Sequence, residues 1–434
     1  MSLLQQLDAL KSAYGVPKAA AQAEALLTKA QTARFRSVDE IVHLHESLLF
    51  LRAYPHNPNV LKLADTALAN FGQRIDGRGD LAEFEYPEIS GIAGTGLATN
   101  FSYPFASSLA FRHKDCVQVD WTQYTQPLRL AWSIAKLVPA DMVSAAREDW
   151  AIAPHADWQQ WYQKSGLTLE RLIRNVTPEV YDLFELPIRW SLTDARSSRT
   201  HLRLARGVPR SKPFYHAKPL LSRKDVSLES AFAEPAIQAS LLPHDVAQKV
   251  LDTIIDASAI RYRELYGFTY PDVDRMFHAD LGRGVDFFFF GPPEEWRLPS
   301  REYCAGMYFK NGVPMGYVEV MWQNGRMEVG FNLYFTFRQG ETAWLYTRLL
   351  KIFRERFEVD TFFIDPYQIG HENEEAIESG AFWFYYKLGF RPASPEIAKL
   401  AAREAGKVAA IAGYRTPPKT LRKLAVAPVE YRVE

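Results

Sequence analysis

The sequence predicts an α/β chain, with a mainly helical N-terminal domain followed by a C-terminal mixed sheet flanked by helices. Three observations predict it. Apolar residues recur at helical spacing through the first 72 or so residues, two Asn-Gly turns punctuate strand-like text after Arg301, and the period returns to helical after Gly340. The length, 434 residues, allows two or three domains, each with a full core. Hydrophobic residues make up 47% and charged residues 24%, the balance of a globular chain and not of a disordered or fibrous one. No internal repeat points to a solenoid.

In order, Leu3, Leu4, Leu7 and Leu10 fall at helical spacing, and residues 18–33 are rich in alanine, the strongest helix former. Ser37 and Glu40 form a capping box ahead of IVHLHESLLFL, each side chain reaching a backbone amide that the helix start leaves free. Pro55 blocks continuation, and a further helix over 58–71 stops at Gly72. Residues 73–175 mix turns with one strand candidate, 117–121, and helices near 128–137 and 158–172. A long helix over 245–265 follows, with Val246, Val250, Ile254 and Ala257 on one face and Gly267 as its stop.

From Arg301 three strand-like runs are separated by Asn311-Gly312 and Asn324-Gly325. Asn-Gly favours a tight hairpin because both central residues of a type I′ turn need positive φ, so a three-stranded antiparallel meander is expected. Leu345, Leu349, Ile352 and Phe353 then mark a helix of four to five turns. A short buried strand over 361–367 and a helix over 374–388, closed by Gly389, complete the pattern.

Lys plus Arg and Asp plus Glu both number 51, so no whole-chain field draws the protein to nucleic acid or to an acidic membrane. Cys116 and Cys304 stand far apart, which disfavours a disulfide framework or a thiolate zinc site. The first residues lack the apolar core of a secretory signal, and no run reaches about 18 apolar residues. These features predict a cytoplasmic protein with no membrane partner and no metal.

The order of three antiparallel strands, a glycine turn into a helix, a strand, and a helix ending in FYYKLGF resembles the GNAT superfamily of acetyl-CoA-dependent N-acyltransferases. The resemblance covers about a fifth of the chain, roughly 301–390, and 381–390 is its most specific part. It implies acetyl-CoA or another acyl-CoA as co-substrate and an amine as acceptor. It also implies that Tyr385, four residues before Gly389, lies near the thioester sulfur and protonates the departing thiolate. The family's diphosphate turn reads Gln or Arg, two residues, Gly, one residue, then Gly or Ala. Here Arg338, Gln339, Gly340 and Ala343 are the matching candidates, but the glycine falls one place early and Glu341 takes its position. A helix start offers free amides and the positive end of a dipole, for which a carboxylate competes with a phosphate.

Acyl transfer to an amine needs a base for the ammonium proton and an acid for the thiolate. Glu328, on the third meander strand, is the candidate base, and Asp365 at the end of the next strand is the runner-up. Alternation leaves open whether Glu328, or Glu319 on the preceding strand, faces water instead. Tyr385 lies among Phe382, Trp383, Phe384 and Tyr386, a stripe that also reads as core packing. Asn373 is a candidate for cofactor binding and equally for capping the following helix.

Residues 196–224 hold nine Lys or Arg and no Asp or Glu. Beside a solvated connector, this segment reads as a contact for nucleic acid phosphates, an acidic acyl-carrier protein, or the CoA 3′-phosphate. Gly91 to Gly96 resembles a phosphate loop but follows no hydrophobic strand. His43 and His45 stand two apart on a predicted helix, so they face apart and read as surface residues. His113, Asp115 and Cys116 lack the second half of a metal site.

The expected organisation is therefore a mainly helical domain over 1–180, a basic connecting segment over 181–240 and a GNAT-like domain over 241–434. The expected activity is acyl-CoA-dependent N-acyl transfer by direct attack. Two alternatives stand beside it: a GNAT-shaped binding or scaffolding module that has lost CoA, and a GNAT-fold transferase that takes its group from aminoacyl-tRNA.

Overall fold

The computed structural model describes residues 1–126, 129, 168–193 and 196–433. Of the helices expected near 128–137 and over 158–172, residues 128, 130–137 and 158–167 lie outside the described residues, and the end of the second falls in a short helix, Leu169–Arg174.

Four helices open the chain: α1 (Leu3–Leu10), α2 (Ala19–Thr32), α3 (Val38–Ala53) and α4 (Pro58–Ala69). The capping box forms as the spacing predicts, with Glu40 N–H donating to Ser37 Oγ at 3.2 Å and the Glu40 carboxylate returning to the Ser37 amide. Leu7, Leu27, Leu44, Leu48, Val60 and Leu68 fill a separate apolar cluster between these helices. His45 is fully buried on α3, against the expectation of a surface residue, because its ring bonds Thr200 at 2.9 Å and Glu46 at 3.1 Å.

Next comes a small antiparallel sheet made of β1 (Gly96–Asn100), β2 (Val117–Val119) and β3 (Pro187–Ser191), with β3 in the middle and α5 (Tyr103–Arg112) beside it. The remaining strands are β4 (Ala239–Leu241), β5 (Phe277–Gly282), β6 (Val285–Phe290), β7 (Glu302–Lys310), β8 (Val313–Gln323), β9 (Arg326–Leu333), β10 (Thr361–Ile364), β11 (Arg391–Pro392) and β12 (Val429–Arg432). They form one nine-stranded mixed sheet among the described residues, in the order β11-β12-β10-β9-β8-β7-β6-β5-β4. Every neighbouring pair is antiparallel except β9 and β10.

The meander is β7–β9, and its turns have the positive φ that Asn-Gly permits, 50° and 79° at Asn311-Gly312 and 51° and 74° at Asn324-Gly325. The meander is extended by β6 and β5, whose turn at Arg283-Gly284 is also left-handed, at 52° and 72°.

Two layers of helix cover the sheet. On one face α6 (His244–Ala259) leads into a short turn of helix whose Phe268 packs on Phe290 and Tyr317. It ends at Ala259, before the expected 265, and the predicted stop Gly267 lies in the next helix, Tyr266–Thr269. On the other face α7 (Thr342–Phe357) lays Tyr346, Phe353 and Phe357 on Phe331, Phe287 and Trp322. The single helix expected over 374–388 is two: α8 (Glu374–Ser379) and α9 (Ala381–Lys387). Gly380 separates them at φ 67°, a left-handed residue that caps α8 and re-aims the chain.

The basic stretch over 196–224 is extended and partly buried. Arg199 is paired with Glu46, and Arg203 bonds Asp65 at 2.6 Å, while Arg206, Arg210, Lys212, Lys218 and Lys224 face solvent. Among the described residues no helix is long and apolar enough to cross a membrane.

Candidate active site

The parallel pairing of β9 with β10 lasts three residues, Thr361 with Arg326, Phe362 with Met327 and Phe363 with Glu328. Beyond it β10 stops at Ile364, since Asp365 and Pro366 turn the chain into a short helix. Meanwhile β9 runs on to Leu333, held among the described residues only by β8. The sheet therefore opens, and a cavity of about 590 Å³ lies in the gap, lined by Gly330 to Leu333 of β9, the start of α7 and residues of α8 and α9.

Alternation along the strands divides the gap between the two faces of the sheet. Tyr317, Glu319 and Asn332 line it on one face; Phe331, Phe384 and Tyr385 line it on the other. Glu319 stands opposite Gly330, which has no side chain to cover it. The Tyr303 hydroxyl donates to the Glu319 carboxylate and itself accepts from the Gly267 amide at 3.1 Å. Burial raises the Glu319 carboxyl above the usual range, against the Tyr303 bond, which lowers it. Tyr385 is 5% exposed, and burial raises its phenol well above the ordinary value, so the hydroxyl keeps its proton.

At the other end of the cavity α7 begins, and among the described residues no side chain caps it. Arg338 and Thr342 line the gap there, with Arg338 paired to Glu375 at 2.5 Å. Gln339 and Ala343 do not line the cavity, and Ala343 is buried in the helix. Gly340 serves a different contact: a Cβ there would collide with the phenol of Tyr54, which follows α3. Glu341 is also absent from the lining. It is 2% exposed and faces the opposite side of the turn, where Arg283 Nε donates to it at 2.9 Å and Leu221 N–H at 3.0 Å.

Comparison of this chain with protein-family models, curated proteins and solved structures finds no match. The site is accordingly read from its own geometry. Of the residues singled out in the sequence, the structure brings Tyr385, Arg338 and Asn373 to one cavity. Asn373 also caps α8, its Oδ1 accepting from Ala376 N–H at 3.2 Å. Glu328 shares a sheet face with Glu319 but lies next to the paired part of β10, outside the lining, 3.7 Å from Arg301. Burial, then the neighbouring Asp365, raise its carboxyl, and Arg301 lowers it. Asp365 caps the helix Pro366–Ile369 by accepting from Tyr367 N–H at 2.8 Å.

Tyr303 and Gly330 carry no sequence signal of their role. Glu319 carries a faint one, a lone acid among large apolar residues in the middle of a strand. Among the described residues no group of three or more His, Cys, Asp or Glu is placed to hold a metal ion.

Proposed function

We propose that this protein is an acyl-CoA-dependent N-acyltransferase, with acetyl-CoA as donor and an amine as acceptor. The observation that carries this reading is the opening of the sheet between β9 and β10 directly beside the uncapped start of α7. Such a gap offers the unpaired edge of β9 to a pantetheine arm, and the free amides and dipole of α7 to a diphosphate. Arg338, half exposed at the rim, adds a cation for the phosphates if it exchanges its ion pair with Glu375.

In this reading Glu319 replaces Glu328 as the base. It takes the ammonium proton, the freed amine attacks the thioester carbonyl, a new N–C bond forms as the C–S bond breaks, and the amide nitrogen sheds its second proton to solvent. Tyr385, neutral because buried, gives its proton to the departing thiolate and regains one from solvent. With Cys116 and Cys304 both free, we place the reaction in the reducing cytoplasm.

Calorimetric titration of the full chain with acetyl-CoA and desulfo-CoA is the direct test. Saturable binding of both supports the proposal, and binding of neither removes it. One observation favours a second reading, a binding module of the same shape without CoA: Glu375 already neutralises Arg338 and places an acid in the cavity lining. The same titration separates the two.

A further inference from the structure

Glu341 stands in the turn where a diphosphate would be received, and a carboxylate there would ordinarily repel it. Its surroundings argue for another role. Both carboxylate oxygens are engaged by the Arg283 guanidinium, the Leu221 amide adds a third donor, and Lys310 Nζ lies 3.9 Å away, fully buried. The Arg283 guanidinium and the Lys310 amine, which burial lowers to about 7 against the pull of Glu341, thus face one carboxylate. Lys310 also bonds the Arg283 carbonyl and sits 4.9 Å from the Tyr54 ring centre, and Tyr54 is the residue that presses on Gly340. At the other end of the turn the Thr336 hydroxyl donates to Glu46 of α3, which Arg199 holds.

The turn over 336–341 is therefore pinned at both ends by carboxylates, Glu341 buried and Glu46 partly so. Glu46 comes from α3, and the groups that hold the two carboxylates come from the basic segment, the β5–β6 turn and the end of β7. We propose that Glu341 is a positioning residue: gripped by Arg283 and Lys310, it fixes the backbone of the turn so that the amides at the start of α7 converge on the diphosphate. The N-terminal helical layer and the basic segment then form a working part of the co-substrate site. This inference rests on the acyl-CoA reading above.

Two opposite outcomes follow for Glu341→Gln. A merely repulsive carboxylate predicts tighter CoA binding in the variant; a positioning carboxylate predicts weaker binding. The experiment is calorimetry on the full chain with CoA and with pantetheine, which lacks the diphosphate, alongside a melting curve. The expected result is a loss of CoA affinity of about 5- to 150-fold, the usual range of coupling through an intervening element, with pantetheine affinity unchanged. CoA affinity equal to or tighter than the parent's, or an equal loss for both ligands, overturns the inference. Should Glu341→Gln fail to fold, Arg283→Lys, which keeps the charge but loses the two-point grip, carries the same comparison. A parent protein that binds no CoA sinks the acyl-CoA reading itself, a separate result from any difference between variants.

Discussion

Glu319 owes its chemistry to three neighbours, each from a different part of the chain. Gly330 leaves its carboxylate open to the gap, Tyr303 donates to it, and the Gly267 amide holds Tyr303 in place. Its raised carboxyl gives a pH dependence with a definite sign. Activity should climb as pH rises through a value above the ordinary carboxylate pKa of about 4.3, and initial rates across pH will show that limb. Glu319→Gln should abolish the limb and lower turnover by about 10² to 10⁴, the usual contribution of a positioned base, while Glu328→Gln keeps both. Equal loss in the two variants would return Glu328 to candidacy. Tyr385→Phe should also lower turnover by about 10² to 10⁴ with the fold intact, and native turnover would remove its role as acid.

Elements decide where those residues meet. The break at Gly380 turns α9 away from α8, and the Tyr385 ring then packs on Tyr346 of α7 at 5.6 Å between centroids. Gly380 has open space around its Cβ position, so Gly380→Ala meets only the cost of a left-handed backbone, about 1–2 kcal/mol. A fall in unfolding free energy of that size, with turnover reduced, is expected from chemical denaturation; full stability would show that the chain follows a different path there. The two Asn-Gly turns, the Ser37 cap and the helix of α7 were legible in sequence because each depends on residues a few positions apart. The Gly380 break is not legible because helix-forming residues stand on both sides of a single glycine, and β5 and β6 are not because their turn is Arg-Gly and not Asn-Gly.

At the scale of the molecule, the buried ion network between α3 and the sheet makes stability depend on acid. Burial lowers His45 to about 4, and burial with the nearby cations Lys310 and Arg283 lowers His216 to about 2. Both are neutral in the folded state and bind protons more readily when unfolded, so their contribution is complete above about 6.5. It is lost as pH falls from there toward the folded values. Melting temperatures between pH 7 and pH 4 should drop, and His45→Gln should flatten the upper part of that slope. A parent protein with a level profile would contradict these assignments. Glu46 is partly buried, and burial acts to raise it, yet Arg199, His45 and Thr336 hold it below the usual carboxylate range. Arg199→Ala strands that charge and should destabilise the fold by about 3–5 kcal/mol, measured by chemical denaturation. Any nucleic acid contact by the basic segment would fall to Arg206, Arg210 and Lys212, since Arg199 and Arg203 are engaged with Glu46 and Asp65.

The sequence by itself determined the helical start, the meander, the helix that follows it and the aromatic stretch holding Tyr385. Those features are set by spacing of residues within one turn or one hairpin. Only the tertiary structure decided that Glu319 and not Glu328 lines the opening: both lie on one sheet face, but β10 pairs with β9 only as far as Glu328, so Gly330, two residues on, and Glu319 opposite it stand where the sheet has opened. It also decided the fate of Glu341: local sequence shows an acid beside a helix start, whereas its charge is answered by Arg283 and Lys310, 58 and 31 residues away along the chain.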